Sequence, residues 1–576
     1  MKITTARKVS QAVFLLLFIW LSITIQLGTA FYEIRGWPVN LFLGADPLAA
    51  VSTALASGSL HAGLITGGVI LIATVFLGRF FCGWICPFGA FHQLVSWLSW
   101  RGRKSSELLK ANEYSKFQSV KYYVLLIFLG AAVTGLSSTL LTGLLDPIPL
   151  FHRSVNIAVM PIADYIGSGD FTRHYEFGLG IFAVFAAFTL LNIIRPRFFC
   201  KFVCPLGALL GIFSRFSMFR VAKVQDECRM CGLCNKTCHG SATPKTSTKL
   251  SECMLCFNCR EVCPDEVVGY LPAGECKAES KPDISRRGVL ISLAAGGAGS
   301  YVVKAADKSS GSNWDSSNIR PPGSLKEEDF LQRCIKCGQC IRVCPSNVLQ
   351  PAPISKGLEV MWTPVLNNRI GTSGCQQNCT SCGAVCPTGA IKHLTLDEKH
   401  GTGEFADKGP VKLGTAFVDR SRCLPWAMNK PCIVCQENCP VSPKAIYTID
   451  VYERVRNYSY EIDGVDISEG ESSLQVVSDI SPAYATGDYY ISAGGEEFRI
   501  KTINGKNVIV DGEVTKAGSG DKIEVLAHLQ RPAVEIDRCI GCGICEHECP
   551  VSGKRAIRVT AEGESRDPES RLVLGS

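Results

Sequence analysis

Cysteine is the residue whose spacing in this sequence points most directly to chemistry. All 29 cysteines of the 576-residue chain lie at or after Cys82. Two runs have the spacing C-x2-C-x2-C-x3-C, with which loops supply thiolates to 4Fe-4S cubes. These runs are Cys228, Cys231, Cys234, Cys238 and Cys253, Cys256, Cys259, Cys263. In such pairs of runs the fourth cysteine ligates the other cube. We therefore expect Cys263 to complete the cluster of the first run and Cys238 to complete the cluster of the second run.

Four more cysteine quartets follow, and each ends in Cys-Pro. Two of them have a stretched first gap. Zinc ribbons use paired C-x2-C knuckles farther apart, so these continuous runs favour 4Fe-4S ligation. The six quartets together predict six cubes, and their pairing is either sequential or nested. Nesting is slightly favoured because the two irregular quartets are adjacent. The quartets are Cys334, Cys337, Cys340, Cys344; Cys375, Cys379, Cys382, Cys386; Cys423, Cys432, Cys435, Cys439; and Cys539, Cys542, Cys545, Cys549.

A thirteen-residue phrase occurs twice, as GRFFCGWICPFGA from Gly78 and as PRFFCKFVCPLGA from Pro196. Each copy carries a Cys-x-x-x-Cys-Pro motif. Four thiolates brought together by the duplication would suit an additional iron–sulfur cluster or another thiophilic metal. The alternative is inert cysteine buried at a tight turn. The motif cysteines are Cys82, Cys86, Cys200 and Cys204, and Cys276 is left over as a structural thiol.

Four apolar runs approach the roughly 20 residues that cross a bilayer. Between the second and third runs, residues 101–121 hold six Lys or Arg, whereas residues 31–61 hold only Arg35. The positive-inside rule then places both ends of the block in the cytoplasm and both phrases at its cytoplasmic face. The chain carries a net charge of +7. The sequence shows no cluster of basic residues interleaved with aromatic residues, the pattern that would predict nucleic-acid binding. The runs are Gln11–Ala30, Ala62–Phe81, Tyr122–Leu145 and Phe177–Ile194.

A further apolar segment follows these four runs. It begins at Ser285, and two arginines precede its apolar run Gly288–Val303. This pattern is typical of a twin-arginine export signal, here internal, and we expect an uncleaved fifth membrane helix. Residues beyond it would be periplasmic. The alternative is an apolar helix packed on the membrane block. Alternating residues with Asn504-Gly505 and Asp511-Gly512 turns predict a β insertion at about 447–529.

The predicted fold class is a helical polytopic membrane domain of four helices plus a fifth, with α+β bacterial-type ferredoxin domains and a small all-β insertion. The membrane domain takes residues 1–220 and a cytoplasmic two-cluster ferredoxin domain takes 221–280. The signal or fifth helix takes 285–305 and a linker 306–325. A periplasmic four-cluster ferredoxin domain takes 326–576.

The paired FFCxxxCP phrases and the quartets at Cys228 and Cys253 resemble the NapH and NosR families of polytopic ferredoxins. The segment from Ser285 through the last four quartets resembles NapG, an exported four-cluster ferredoxin. The chain would thus be a natural fusion, located in a bacterial inner membrane. The resemblance implies quinol dehydrogenase function. Electrons would pass from the membrane quinone pool, as in anaerobic respiration, to a periplasmic reductase or cytochrome.

Two other interpretations remain open. The CcoG family shares the repeated phrase and resembles a copper-ion reductase for oxidase assembly, and a NosR-like relay would support maturation of a partner. No residues form a convincing acid–base set. His92 and Trp97 follow the first phrase, where they would line a quinone site or anchor the helix at the interface. His239 is expected to be a surface neighbour of Cys238.

Overall fold

The protein forms two compact units in its computed structural model, which describes residues 2–25, 38–133, 140–168, 173–223, 228–273, 278–279, 282–309, 317–468 and 470–567. The first unit is Met1–Thr372 with Asn378–Val411, and the second is Ser373–Gln377 with Lys412–Ser576. The division falls between the second and third of the C-terminal quartets, except that Cys375 of the second quartet belongs to the second unit. The predicted single domain over residues 326–576 is therefore split. Cys276 lies outside the described residues.

The first 214 residues supply the apolar helices of the first unit. Two helical stretches, Ile3–Thr24 and Ser105–Val133, are long and apolar enough to cross a membrane. The predicted spans Ala62–Phe81 and Phe177–Ile194 contain α-helices of only 13 residues. Residues 26–30 of the predicted span Gln11–Ala30 and residues 134–139 of Tyr122–Leu145 lie outside the described residues. The helices are α1 (Ile3–Thr24), α2 (Pro47–Ser57), α3 (Ile65–Leu77), α4 (Pro87–Trp100), α5 (Val120–Val133), α6 (Pro147–Ser154), α7 (Gly178–Leu190) and α8 (Pro205–Ser214).

The duplicated phrase folds the same way in both copies. A one-turn helix, Phe80–Trp84 or Phe198–Phe202, carries the first cysteine. The second cysteine is the N-cap of α4 or α8, and the following proline occupies the first helical turn. Proline is favoured there because the missing N–H would have had no intrahelical partner. The repeat in the sequence is thus a repeat in structure.

A further helix, α9 (Arg286–Ser309), contains the predicted fifth helix and packs along α5. The two helices approach closely because a glycine on each helix faces the backbone of the other. A Cβ on Gly296 would lie 2.1 Å from the Ile127 carbonyl oxygen, and one on Gly130 would lie 2.5 Å from the Leu293 carbonyl oxygen. Small residues at such points let two helices approach backbone to backbone.

Replacing Gly296 with valine is expected to weaken the α5–α9 contact. The new side chain would collide with α5, and overpacking of this kind typically costs about 1–3 kcal/mol. Gly299 lies one turn away with nothing within 4 Å of its would-be Cβ, so Gly299→Val is the matched control. Thermal unfolding of both variants in detergent checks this. Equal melting temperatures for G296V and G299V would contradict the packing.

Short elements frame the cysteine loops. Strand β1 (Phe219–Lys223) pairs antiparallel with β2 (Val268–Pro272), which closes the segment holding the first two quartets. The remaining strands outside the insertion are Thr248–Lys249, Ala278–Glu279, Leu349–Pro351, Pro364–Leu366, Thr415–Val418 and Ile557–Thr560. The remaining α-helices are Leu41–Gly44, Ser105–Ala111, Met160–Ser168, Leu233–Lys236, Asn258–Glu261, Glu327–Arg333, Gln339–Val343, Ser381–Ala384, Leu396–His400, Leu424–Ala427, Val434–Glu437 and Ile544–Glu548.

The predicted linker over residues 306–325 is only partly a linker. Residues 310–316 lie outside the described part, but the residues after them are packed. Arg320 is fully buried and donates to the Thr363 hydroxyl at 2.8 Å and to the Pro364 carbonyl at 2.7 Å. Its guanidinium also pairs with Glu327 at 2.5 Å. The composition, rich in Ser, Gly, Pro and Asn, predicted a linker, but the buried Arg320 makes its last residues part of the domain that follows.

The predicted β insertion is confirmed as a closed six-stranded barrel in the second unit, with strand order β5-β6-β7-β4-β3-β8. Its interior holds Leu474, Val508, Val510, Ile523 and Val525. Asn504-Gly505 forms the predicted hairpin turn between β6 and β7, whereas Asp511-Gly512 only ends β7. The strands are β3 (Ile446–Ser468), β4 (Glu471–Val476), β5 (Tyr489–Ala493), β6 (Glu496–Asn504), β7 (Asn507–Asp511) and β8 (Lys522–Val534).

His528 on β8 gives the barrel a pH dependence. Its two ring nitrogens lie 2.5 Å from an Asp488 oxygen and 3.0 Å from an Asp450 oxygen. Partial burial opposes protonation, but the hydrogen bonds to Asp488 and Asp450 outweigh it and raise the pKa of His528.

A group whose pKa is raised on folding stabilises the fold below its unfolded pKa, about 6.5 for histidine. We therefore expect barrel stability to fall as pH rises from about 6.5 through the folded pKa of His528. Urea unfolding followed by circular dichroism at several pH values measures this. Asp488→Asn should flatten the dependence, and an unchanged slope would contradict the assignment.

Candidate metal centres

The first two quartets of the sequence exchange their last cysteines as predicted. One small cavity is lined by Cys228, Cys231 and Cys234 together with Cys263, and we call this set I. A second is lined by Cys253, Cys256 and Cys259 together with Cys238, which we call set II. Each set therefore takes three thiols from one loop and one from just after the other run's one-turn helix, Leu233–Lys236 or Asn258–Glu261.

The loops of the regular quartets share a backbone conformation. The residue before the second cysteine and the residue after it both have positive φ, and this pattern repeats in four quartets. Alternation of this kind turns successive amides inward and forms a concavity that stabilises an anionic centre such as a cluster. The donors and the loop shape both fit a 4Fe-4S cube. The residues are Met230 and Gly232, Leu255 and Phe257, Lys336 and Gly338, and Gly541 and Gly543.

The C-terminal quartets pair sequentially, so the nested pairing favoured from the sequence is wrong. In the first unit, one cavity is lined by Cys334, Cys337, Cys340 and Cys386, and we call this set III. Cys344, Cys379 and Cys382 also belong to the first unit, whereas Cys375 belongs to the second.

In the second unit the third and fourth quartets exchange their last cysteines. Cys423 and Cys435 interact electrostatically with Cys549, and Cys542 and Cys545 interact with Cys439. The barrel explains how residues so far apart in sequence can meet. Its first and last strands pair Ile446 with Val534, so the insertion returns the chain to where it left.

The four Cys-x-x-x-Cys-Pro thiols also converge. Cys86 interacts electrostatically with Cys82 and Cys200, and Cys204 interacts with Cys200, Cys82 and Cys86. We call this group the CxxxCP site. Burial, reinforced by the neighbouring thiols, raises the pKa of Cys86 and of Cys204. Their sulfurs accept hydrogen bonds from the Gly89 amide at 3.3 Å and the Gly207 amide at 3.2 Å.

Two buried arginines, which the sequence analysis missed, line the CxxxCP site. Arg79 is 2 % exposed and Arg197 is 1 % exposed. The Arg79 Nη2 lies 3.9 Å from the Cys82 sulfur, and Arg197 interacts with Cys200. Each guanidinium also reaches the opposite copy, since a Cβ on Gly207 or Gly89 would lie 3.0 Å from it.

The arginines occupy the same place in both phrases, three residues before the first cysteine, and that repetition was the signal available in the sequence. Two fixed cations beside four sulfurs offset the negative charge that thiolates bring into a buried site. Within the described residues, no three His, Cys, Asp or Glu side chains stand close enough to hold a single metal ion.

Set II lies directly against the CxxxCP site. The Arg79 Nη1 donates to the Ser251 carbonyl, and the Arg197 Nη1 contacts the Met254 sulfur, both beside Cys253. The Trp84 indole N–H donates to the Leu255 carbonyl at 2.9 Å. A Cβ on Gly83 would lie 2.2 Å from the Met254 carbonyl oxygen, so this position requires glycine. Both repeats of the phrase therefore contact the loop of set II.

Set III contacts the other end of the same helical block. Buried Arg153 on α6 donates to the Lys336 carbonyl at 2.9 Å and to the Gly143 carbonyl at 3.1 Å. Asn156 donates to Gln339 at 2.8 Å. Since all these residues lie in the first unit, the block is bounded by a cysteine set at each end.

Aromatic rings occupy the space between these ends. Phe88 and Phe199, which adjoin the CxxxCP cysteines, have ring centroids 5.1 Å apart. Phe88 lies 5.3 Å from Phe151, which precedes His152 and Arg153 on α6. The rings thus form a continuous series from the CxxxCP site to the helix that contacts set III.

Comparison with known proteins adds to this geometry. A family described as a 4Fe-4S binding domain matches residues 60–106 and 177–223, which contain the two phrases. A 4Fe-4S dicluster domain matches residues 333–390. No solved structure matches significantly.

Three curated proteins show the relationship. NosR, a regulatory protein of Pseudomonas aeruginosa, is 27 % identical over 188 residues, 32 % of this chain and 24 % of NosR. The ferredoxin-type protein NapH of Escherichia coli is 26 % identical over 236 residues, 38 % of this chain and 72 % of NapH. MauM, a methylamine utilization ferredoxin-type protein of Methylorubrum extorquens, is 26 % identical over 307 residues, 52 % of this chain and 98 % of MauM.

The chain is related to the NapH- and NosR-type ferredoxin proteins. Its chemistry is accordingly iron–sulfur electron transfer, with 4Fe-4S clusters as the cofactors. The two candidate spanning helices and the NapH-like relatives indicate that it is associated with a membrane. Cysteine thiolates on a pre-shaped loop are the ligands that these clusters require.

The structure separates His92 and Trp97, for which the sequence left open a quinone site or an interfacial anchor. His92 is fully buried in the core, where its Nδ1 accepts from the Asn192 amide at 2.7 Å and its ring stacks on Phe199. Trp97 is exposed on the same helix, with Arg101 over its ring at 5.1 Å. His92 is therefore a core residue, and only Trp97 faces a space that a ligand could enter.

Proposed function

We propose that this protein is a membrane-anchored electron conduit of the quinol dehydrogenase type. Six 4Fe-4S clusters would pass electrons from the membrane quinone pool to a periplasmic reductase or cytochrome. The observation that carries the proposal is the position of the CxxxCP site. The site contacts set II directly, and aromatic rings connect it to helix α6, which contacts set III. A conduit across a bilayer requires such an intermediate centre between the sets on its two sides.

In this proposal the four CxxxCP thiolates hold a further iron–sulfur cluster rather than a single metal ion. When bound, that centre supplies one-electron redox chemistry. The chain's own contribution is to bury the site, to hold the thiols by the N-termini of α4 and α8, and to balance their charge with Arg79 and Arg197. The 4Fe-4S family match over both phrases supports iron and sulfide as the contents.

The proposed orientation rests on the contacts of the loops. The basic segment 101–121 faces the cytoplasmic cysteine sets, because Asn112 donates to the Lys236 carbonyl at 2.7 Å. At the other end, Ser59 and His61 lie in a loop poor in Lys and Arg, and they contact Arg333 and Pro387 of the set III region. The positive-inside rule then places sets I and II in the cytoplasm and set III in the periplasm.

Two other functions remain candidates. The match to NosR favours a relay that supports a partner's maturation. A copper-handling role of the CcoG sort would use the CxxxCP site alone, since thiols suit a soft metal. It would require these thiols to move closer together, because no three of the four, all in the described part of the chain, can hold one ion as they stand. Copper titration of the purified protein discriminates between them, because tight stoichiometric copper at Cys82, Cys86, Cys200 and Cys204 would favour the second.

Iron and acid-labile sulfide analysis of the anaerobically purified protein tests the proposal, together with redox-titrated EPR. Six cubes require about 24 irons per chain, and more if the CxxxCP site also holds a cluster. A quinol analogue should reduce at least one signal. Protein with the full iron content but no quinol-reducible signal would rule out the quinol dehydrogenase assignment.

A further inference from the structure

A large cavity opens beside set II, between α1, α4 and the two turns that carry Cys238 and Cys259. Its volume is about 860 Å³, which lies in the range of small-molecule sites. One wall is apolar, with Leu94 and Trp97 of α4. Both side chains are also partly exposed on the outer surface of the membrane block, so the cavity is continuous with the face that lipid would cover.

The inner end of the cavity is polar and incompletely hydrogen-bonded. Asn258 and Gln93 donate to the His239 Nε2 at 3.1 Å and 3.3 Å. The Arg7 Nη2 donates to the Asn258 Oδ1 at 3.3 Å. Three buried polar atoms here, the Arg7 Nε, the Gln93 Oε1 and the His239 Nδ1, have no protein partner among the described residues. Arg7 itself is 1 % exposed.

Buried polar atoms normally have partners, because leaving one unsatisfied costs about 1–3 kcal/mol. All three atoms belong to side chains that line one cavity, and this indicates a ligand with its own donors and acceptors. The arginine and the amide present both kinds of group. The apolar wall and the lipid-facing opening indicate that the same ligand has an apolar tail.

The position of the polar end decides what kind of ligand this is. His239 directly follows Cys238, and Asn258 directly precedes Cys259, so both are joined to cysteines of set II. A ligand held by these residues would lie beside a redox centre rather than at a remote lipid-binding surface. An anionic lipid head at Lys2 and Lys8, at the outer rim, would need no such neighbour.

We propose that this cavity is the site where the quinol binds, with its flat two-oxygen head at Arg7, Gln93 and His239 and its tail along Leu94 and Trp97. This assignment rests on the proposed quinol dehydrogenase function. Oxidation of the bound quinol to the quinone breaks two O–H bonds. The cysteines of set II would hold the 4Fe-4S centre that accepts the two electrons one at a time, and the two protons would leave to water at the open mouth.

The test uses full-length protein in nanodiscs with a photoreactive azidoquinone and, separately, decylubiquinone. Irradiation should label a peptide of α1 or α4, located by mass spectrometry. Gln93→Leu removes a hydrogen bond and should weaken decylubiquinone binding about tenfold, since 1.4 kcal/mol corresponds to a factor of ten. Leu94→Trp should block binding by filling the cavity. Leu98→Trp is the control, because Leu98 lies one turn away on α4 and does not line the cavity.

The outcomes separate this site from the proposed function. Label on another segment, or equal binding in L94W and L98W, would overturn the site while leaving quinol dehydrogenase function intact. Absence of any quinone binding, with intact iron content, would overturn both. Nanodiscs with and without anionic phospholipid provide the remaining arm. If anionic lipid prevents labelling and decylubiquinone does not, the cavity is a lipid-headgroup site instead.

Discussion

Replacing Cys200 with serine is expected to stop electron transfer from set II to set III. The clusters bound by the six cysteine quartets should keep their iron. Cys200 belongs to the CxxxCP site and interacts there with Cys82 and Arg197. A serine hydroxyl is a poor substitute for a thiolate ligand of iron. The intermediate centre would be lost, and quinol-driven reduction should stop at sets I and II.

Freeze-quench EPR after addition of a quinol analogue measures this effect. In the unaltered protein, signals from both groups of clusters should appear, whereas C200S should show only those on the quinol side. Cys276→Ser, which changes a thiol outside every quartet and both phrases, is the control. If C200S reduces all clusters at the normal rate, the CxxxCP site is not part of the route.

Replacing Glu252 with alanine is expected to lower the free energy of unfolding by about 3–5 kcal/mol, because it leaves a buried charge without its partner. Glu252 and Lys121 form an ion pair with side chains 4 % and 1 % exposed. Tyr122 also donates to Glu252 at 2.9 Å. Since Glu252 precedes Cys253, this pair fastens the loop of set II to α5.

Thermal unfolding in detergent, followed with iron release, checks this prediction. Glu107→Gln provides the comparison, because Glu107 pairs with Arg103 at an exposed site at the start of helix Ser105–Ala111, and exposed pairs contribute about 0.2–1 kcal/mol. E252A should melt and lose iron from set II at a clearly lower temperature than E107Q. Equal melting temperatures would show that the buried pair does not hold the loop.

The sequence predicted the cysteine exchange in sets I and II because the spacing itself encodes it. It did not predict the C-terminal pairing, because the approach of Cys439 to Cys542 depends on closure of the barrel. That closure is a long-range strand pairing, Ile446 with Val534, which the local pattern does not contain. The barrel as a β module was predictable from alternation and from the Asn504-Gly505 turn.

The helical block shows a similar division. The duplication predicted that the four motif cysteines would meet, since similar sequences adopt similar folds. The lengths of the helices were overestimated, because hydropathy continues past Gly78, where a positive φ ends α3. Arg79 and Arg197 were overlooked because an arginine beside an apolar run is usually interpreted as the charged flank of a membrane-spanning helix. Only the fold shows that each one crosses to the other repeat.

Electron transfer through sealed liposomes tests the central claim most directly. The protein is reconstituted with cytochrome c trapped inside as a membrane-impermeant acceptor, and titanium(III) citrate is added outside as an impermeant reductant. The account predicts that the trapped cytochrome is reduced in liposomes that contain the protein and remains oxidised in empty ones. Clusters reduced from outside while the trapped cytochrome stays oxidised would contradict it.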